Sequence, residues 1–322
     1  MSDNLKAEVM LVGAGGMAID YAKVLKGLHR NFVVVGRGED SARKFEEKTG
    51  VEVRRGGLEK FLASADRLPP YAIIAVNVPQ LASTCEALLK SGVKNILLEK
   101  PGATSIADFQ SLRQSALENH ASVSIAYNRR FYASTRAAKK FIAEDGGVTS
   151  FNFEFTEWLH VFENLGRDMS KTTHRLFLGN STHVVDMAFY MGGEPTEIIC
   201  YKKPSSTYNC KALFAGAGIS ERGALFSYQA NWEAPGRWSV EMLTSKRRYI
   251  FRPLEKLQIQ QMRTVKVDFA DVDYSLDTEY KPGLYLETKA FLDSDENFVD
   301  LCSLDEQCAR LPIYQKMSDG IF

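Results

Sequence analysis

Lys100 and His183 are the residues best suited to move a proton. Lys100 stands in Glu99-Lys100-Pro101-Gly102, directly after the apolar run Asn95-Ile96-Leu97-Leu98. A lysine partly desolvated at the carboxyl end of a buried strand has a lowered pKa and can relay a proton or polarise a carbonyl. An ordinary strand-end lysine before a turn proline has the same local sequence, so spacing alone leaves both readings open. His183 lies in a helical stretch from Ser181 to Met191, with Val184, Val185, Met187, Ala188 and Met191 as its apolar side and Asp186 three residues on. Imidazole suits proton transfer near neutrality, yet a lone helical histidine is as readily a packing residue.

A third group points to a cofactor. Val9 to Val12 ends in Gly13-Ala14-Gly15-Gly16-Met17-Ala18, and a helical pattern of Ala18, Tyr21, Ala22, Leu25 and Leu28 follows at once. The spacing is G-x-G-x-x-A. Gly13 suits the tight turn, Gly15 lets the backbone approach a pyrophosphate, and Ala18 permits close helix–strand packing. The helix then aims its N–H groups and positive end at the phosphates. Gly13, Gly15, Gly16, Met17 and Ala18 are therefore expected to hold a dinucleotide. The second strand ends Val35-Gly36-Arg37-Gly38, where an NAD site usually offers an acid to the ribose. A guanidinium there can grip a 2′-phosphate, with Ser41 and Arg43 in support, so NADP is expected over NAD. The competing reading is a solvated arginine, with Glu39 or Asp40 serving as a late acid. Asn77 and Pro79, after the fourth strand, are expected on the nicotinamide side.

These residues need elements to position them. The first third alternates strands and helices: strands at Phe32–Val35, Val51–Val53, Tyr71–Val76, Asn95–Leu98 and Ser122–Ala126, with helices between, the last N-capped by Thr104 or Ser105. Repeated βα units imply a doubly wound parallel sheet with right-handed crossovers, and such sheets bind ligands beyond the carboxyl ends of their strands. The pattern then changes. Phe151 to Trp158 alternates apolar and polar residues, and strand-like runs follow at 197–201, 223–232, 238–243, 248–251, 256–261 and 264–267. The expected architecture is α/β: a Rossmann domain over residues 1–126 and an α+β domain over 127–322 with a large, mostly antiparallel open sheet. The helical tail from Leu284 to Met317 is free to pack on either. The aromatics Phe151, Phe153, Phe155 and Trp158 are expected in a core or interface.

Composition narrows the function classes. Lys+Arg and Asp+Glu are both 40 in 322 residues, so nothing points to nucleic acid or a charged surface. The chain has no run of about 18 uninterrupted apolar residues, so no membrane span is expected. The N-terminus leads straight into the first strand without a signal-peptide pattern. Five cysteines, with no C-x-x-C, read as reduced thiols in a cytoplasmic protein. His29, His120, His160 and His174 are scattered, and no metal site is expected.

Gly13-Ala14-Gly15-Gly16-Met17-Ala18, Glu99-Lys100-Pro101, Tyr127-Asn128-Arg129-Arg130-Phe131 and His183-Val184-Val185-Asp186 occur in this order, and together they resemble the signature of the glucose–fructose oxidoreductase / inositol dehydrogenase / MocA (Gfo/Idh/MocA) family. The resemblance spans the chain, and Glu-Lys-Pro is its most specific part. It implies an NAD(P)-dependent oxidoreductase that moves a hydride to or from a hydroxyl carbon of a sugar, cyclitol or sugar nucleotide. It also implies a sheet domain that makes homo-oligomer contacts, a dimer or tetramer. By the same resemblance Lys100 and His183 are catalytic, Glu99 and Asn128 border the cofactor, and Tyr127 borders the substrate. The donor-rich segment Asn164 to Phe177 reads as a substrate loop through Arg167 and His174, or as a solvated connection. Arg130 stands equally as an inter-domain salt bridge. One departure is plain. Many members carry an aspartate four residues before this histidine; here Gly179 stands there, and Asn180 can hydrogen-bond a substrate hydroxyl but cannot take a proton. His183 then works alone, another residue substitutes, or the chemistry differs. Two rivals follow: a glycosidase of the same fold using NAD transiently, and a non-catalytic NADP(H)-binding regulator.

Overall fold

The computed structural model describes residues 7–164, 176–293 and 300–318. The chain divides into two compact units. The first holds residues up to Asn128 together with Glu279–Arg310, and the second holds Arg129–Thr278 with the residues from Leu311 on. A single cut at 126/127 is thus corrected: the chain returns to its first unit after residue 278. Apolar packing accounts for the return, as Phe291 meets Tyr71 edge to face at 5.6 Å and the Leu284–Leu292 helix lies along Gly16–Gly27.

The first unit is a parallel sheet of β1 (Val9–Val12), β2 (Phe32–Val35), β3 (Val53–Arg54), β4 (Tyr71–Ile74), β5 (Asn95–Glu99) and β6 (Ser122–Ala126). Their spatial order is 6-5-4-1-2-3, with β1 between β2 and β4. Every residue of β1 is buried, as a strand covered by helices on both faces requires. The sheet reverses direction of growth at β1, which opens a crevice above the carboxyl ends of β1 and β4. A short strand, Cys302–Ser303, adds antiparallel to β6, inside what the sequence presented as a helical tail.

The second unit carries β7 (Ser150–Glu154), β8 (Pro195–Pro204), β9 (Lys211–Ser220), β10 (Leu225–Asn231), β11 (Ser239–Leu243), β12 (Arg247–Phe251), β13 (Gln258–Gln261) and β14 (Val267–Phe269). They form one sheet in the order 14-13-12-11-7-10-9-8, antiparallel except where β10 runs beside β7. On β10, Phe226, Tyr228 and Ala230 are buried while Leu225, Ser227, Gln229 and Asn231 are exposed, so one face is covered and the other open. The covering element is the Thr182–Gly192 helix. All its residues but Tyr190 are buried, and Phe189 packs edge-on against Phe151, Phe153 and Phe226. The aromatics of β7 are core, as expected. Among the described residues no helix is long and apolar enough to cross a membrane.

Candidate active site

The first unit builds a cleft of about 510 Å³ at the carboxyl ends of β1, β2 and β4. Gly13 makes its turn at φ +119°, and a Cβ there would lie 2.3 Å from the Ala75 carbonyl oxygen, so only glycine fits. Among the described residues a Cβ at Gly15 or Gly16 would meet nothing within 4 Å. Gly15 caps the Gly16–Gly27 helix without a side-chain hydrogen bond. A bare helix N-terminus beside an open, glycine-walled cleft fits a dinucleotide pyrophosphate. Ala18 is fully buried under the sheet, and Met17 lies beside the Lys281 ammonium.

Of the expected cofactor residues, Gly13, Gly15, Arg37, Ser41 and Asn77 line this cleft. Pro79 sits in the Val78–Gln80 turn that follows Asn77, outside the lining. The late acids are spent elsewhere. Glu39 accepts from Arg55 Nε at 2.9 Å, and Asp40 accepts from Arg43 Nη2 at 2.9 Å. Arg43 is thereby turned to a neighbour on its own helix. Sequence reasoning missed Gly56, Gly57, Glu59, Gln80, Ser83 and Thr84, all in the wall. With the Gln80 amide oxygen turned inward, it accepts from Arg37 Nη1 at 3.2 Å and Nη2 at 2.6 Å, holding the guanidinium in the lining. The pattern Arg55-Gly56-Gly57 was a signal for the first two, since consecutive glycines mark left-handed backbone, seen here at φ +100° and +86°.

Glu99 ends β5 and accepts from the Tyr21 hydroxyl at 3.0 Å. Burial pushes its carboxyl above the usual range, against the pull of the adjacent Lys100. Burial, reinforced by Glu99, likewise raises the Tyr21 phenol. Lys100 follows at the turn and is half-buried. Tyr127 is buried, and its hydroxyl donates to Gln307 Oε1 at 3.2 Å; Asn128 Nδ2 donates to the Pro282 carbonyl at 2.9 Å. Both tie the end of β6 to the returning C-terminal segment.

In the second unit His183 stands on the first turn of the Thr182–Gly192 helix, buried, with its ring centroid 6.2 Å from that of Trp238. Arg129 Nη1 donates to His183 Nε2 at 2.9 Å. Arginine has no acceptor, so this contact assigns the lone pair to Nε2 and the proton to Nδ1. Arg130 forks onto Asp186 within the second unit, with Nε donating to Oδ1 at 3.1 Å and to Oδ2 at 2.9 Å and Nη2 to Oδ1 at 2.5 Å. Its guanidinium also lies 4.7 Å from the Tyr190 ring centroid.

The residues before the helix, Phe177–Ser181, form a π-helical turn. Asn180 Nδ2 donates to Glu157 Oε2 at 2.9 Å, and Ser181 Oγ to Glu157 Oε1 at 2.8 Å. Glu157, unmentioned by any motif, is buried just beyond β7 and also accepts from Trp238 Nε1 at 3.2 Å. Burial pushes its carboxyl up to about 7, in spite of these donors and of Arg237 nearby. Arg167 and His174 lie outside the described residues.

Residues 7–127 match the model of the GFO_IDH_MocA family, described as an oxidoreductase family with an NAD-binding Rossmann fold. No curated protein matches the chain by sequence. Solved structures are similar over nearly its whole length. A putative NADPH-dependent oxidoreductase from Desulfitobacterium hafniense is 18% identical with TM-score 0.79, over 98% of this chain and 95% of that one. Levoglucosan dehydrogenase, in complex with NADH and levoglucosan, is 17% identical with TM-score 0.77, over 98% and 97%. An inositol dehydrogenase homolog from Azotobacter vinelandii, complexed with NADH and myo-inositol, is 14% identical with TM-score 0.74, over 98% and 95%. At these identities the likeness is one of fold. The glycine turn, the cleft it walls and the match over residues 7–127 make the first unit similar to the NAD-binding Rossmann domain of the Gfo/Idh/MocA oxidoreductase family.

Proposed function

We propose that the chain is an NADP-preferring dehydrogenase or reductase acting at a hydroxyl-bearing carbon of a sugar, cyclitol or sugar nucleotide. The observation that carries the cofactor half is the cleft wall. Its cation is Arg37, fixed by Gln80, while Glu39 and Asp40 are engaged by Arg55 and Arg43. Gly13, Gly15 and Gly16 would bear the pyrophosphate, with Met17 and Ala18 in the helix behind; Arg37 and Ser41 would bear the 2′-phosphate. Asn77, Pro79, Glu99 and Asn128 would border the nicotinamide side. When bound, the nicotinamide supplies or accepts the hydride. Lys100 would donate to the reacting oxygen and steady its developing charge, and His183 would exchange that oxygen's proton. For this His183 must release the Arg129 hydrogen bond or use its other nitrogen, so Arg129 acts as a place-holder for substrate. Asn180 would hold a second substrate hydroxyl, and Tyr127 would back the pocket from within the fold.

A polyol substrate is supported by the solved relatives bound to levoglucosan and to myo-inositol. The open sheet face, with Ile199, Tyr201, Leu225 and Phe269 exposed, is a surface that a second copy would cover. The test is to identify the nicotinamide that co-purifies by mass spectrometry, then screen sugars, cyclitols and sugar nucleotides by reduced-nicotinamide absorbance. On the substrate found, Lys100→Met should lose about two to four orders of magnitude in kcat with cofactor affinity kept. Wild-type turnover by that variant would remove Lys100 from the mechanism.

A further inference from the structure

We propose that Glu157 is a positioning residue for His183: in its charged state the carboxylate gathers Asn180, Ser181 and Trp238, and so fixes both the turn that launches the His183 helix and the aromatic wall beside its ring. Three donors from two separate stretches converge on one buried carboxylate, at 2.8, 2.9 and 3.2 Å. Asn180 and Ser181 are the last residues of the π-helical turn, so their tether sets where the Thr182–Gly192 helix begins and hence where His183 points. A π-helical turn is a less stable backbone than the α-helix it replaces, and it persists where surroundings hold it. Two guanidinium groups lie close to the Trp238 ring. Arg129 lies 5.1 Å from its ring centroid and Arg237 4.6 Å, and Arg129 is the group that donates to His183. The chain of contacts from Glu157 to His183 therefore runs by two routes, one through the backbone of residues 180–183 and one through Trp238 and Arg129.

The proton state of Glu157 decides whether this gathering holds. A carboxylate accepts from all three donors. A neutral acid has a hydroxyl that must itself find an acceptor; the Ser181 hydroxyl and the Asn180 amide can turn to accept, but the Trp238 indole N–H cannot. Burial places that change near neutrality, with the carboxyl raised to about 7. Other ionisable groups face the same place. Arg237 precedes β11, Arg129 and His183 lie across Trp238, and His160, Tyr208 and Glu233 share with Glu157 the wall of a cavity of about 400 Å³. None of these three hydrogen-bonds to Asn180 or Ser181 in the way Glu157 does, so removal of Glu157 isolates its contribution.

The inference rests on the proposed role of His183, but its test does not need turnover. The indole N–H resonance of Trp238, one of three tryptophans and assigned with Trp238→Phe, is followed by NMR between pH 5 and 9 alongside the ring resonances of His183, assigned with His183→Asn. In the wild type the Trp238 signal should titrate with a midpoint near neutrality, and His183 should show a step at the same midpoint. In Glu157→Gln both should lose that step, and Glu157→Asp should restore it with a displaced midpoint. A Trp238 signal flat in the wild type, or a step that survives Glu157→Gln, overturns the proposal. If Glu157→Gln does not fold, Ser181→Ala carries the test: one donor fewer should move the midpoint upward, and an unmoved midpoint overturns it. Once a substrate is known, Glu157→Gln should lower kcat about tenfold with KM nearly unchanged and flatten the limb of the pH profile near neutrality. A null substrate screen would remove the enzymatic reading and leave the Trp238 and His183 titrations standing or falling by themselves.

Discussion

Replacing Arg37 with alanine should erase a preference for NADPH while leaving NADH almost untouched. A hydrogen bond to a charged group contributes about 1.5–3 kcal/mol. Arg37 is exposed and lines an open cleft, so water and salt compete for it and the lower end applies, about 1.5 kcal/mol. At about 1.4 kcal/mol per factor of ten, the Kd for NADPH should rise roughly tenfold. Gln80 supports this value, because its amide oxygen, once turned toward the guanidinium, accepts from both terminal nitrogens at 3.2 and 2.6 Å. Less side-chain freedom is then lost on binding than for a mobile arginine. Glu59, the acid in the same wall, works against the 2′-phosphate and keeps the preference modest.

The assay is fluorescence titration of NADPH and NADH against wild type, Arg37→Ala and Gln80→Ala, at low and high salt. The wild type should favour NADPH, with the preference shrinking as salt rises. Arg37→Ala should bind the two cofactors within about threefold of one another, and Gln80→Ala should fall between. A wild type that favours NADH, unchanged in Arg37→Ala, refutes the reasoning. So does an equal loss for both cofactors, which would make Arg37 a wall for the adenine and not a reader of the phosphate.

Three further perturbations test other parts of the structure. Gly13→Ala forces a Cβ to 2.3 Å from the Ala75 oxygen at φ +119°; it should cost about 2–4 kcal/mol and abolish cofactor binding, read by urea melts and by fluorescence. Asp186→Asn leaves Arg130 charged in a site where the two side chains are 1% and 0% exposed, and should cost about 3–5 kcal/mol; a double replacement, Arg130→Met with Asp186→Leu, should recover much of it. Glu157 is a carboxyl raised in the folded state to about 7 from 4.5, so its contribution is fully present below pH 4.5 and is lost as pH rises through 7. At about 1.4 kcal/mol per pH unit the loss is about 3 kcal/mol; urea melts at pH 5 and 8 should show it in wild type and not in Glu157→Gln, and parallel curves would contradict it.

The Rossmann unit was legible because its physics is local. A mostly buried strand followed by a turn and a helix recurs along residues 9–126, and each repeat declares itself within a short window. The expected strand Val51–Val53 shrank to Val53–Arg54 at the sheet edge, where few neighbours demand pairing. The strand Lys211–Ser220 went unread for the opposite reason. Ala215-Gly216-Ala217-Gly218 has poor strand propensity by itself. The sheet nevertheless needs those glycines: a Cβ at Gly216 would lie 2.3 Å from the Tyr228 ring, and one at Gly218 2.6 Å from Phe226. Aromatics on β10 cover the missing side chains on β9, and no window of β9 alone contains that information. The return of Glu279–Arg310 to the first unit is likewise a tertiary choice.

The candidate site divides in the same way. Gly13, Lys100 and His183 could be named from the sequence because a short motif carries each. Glu157 was not, because its partners lie 23, 24 and 81 residues away. The sequence did hold a trace of it. Phe151, Phe153 and Phe155 occupy the inward phase of a period-two pattern, and the next inward position is 157. An acid in the phase that buries three phenylalanines contradicts the pattern, and a buried carboxyl is costly unless donors meet it. The strand ends at Glu154, but Phe155, Thr156 and Glu157 stay buried, so the phase outlives the hydrogen-bonded ladder. Where Gly179 withholds a carboxylate four residues before His183, Glu157 brings one to the residues at 180 and 181 from another part of the chain. Among the described residues nothing lies within 4 Å of where a Cβ of residue 179 would sit. A carboxylate on the turn itself would move with the helix. One anchored beyond β7 holds the helix to the sheet, which ties the geometry of His183 to the ionisation of a residue outside its own helix.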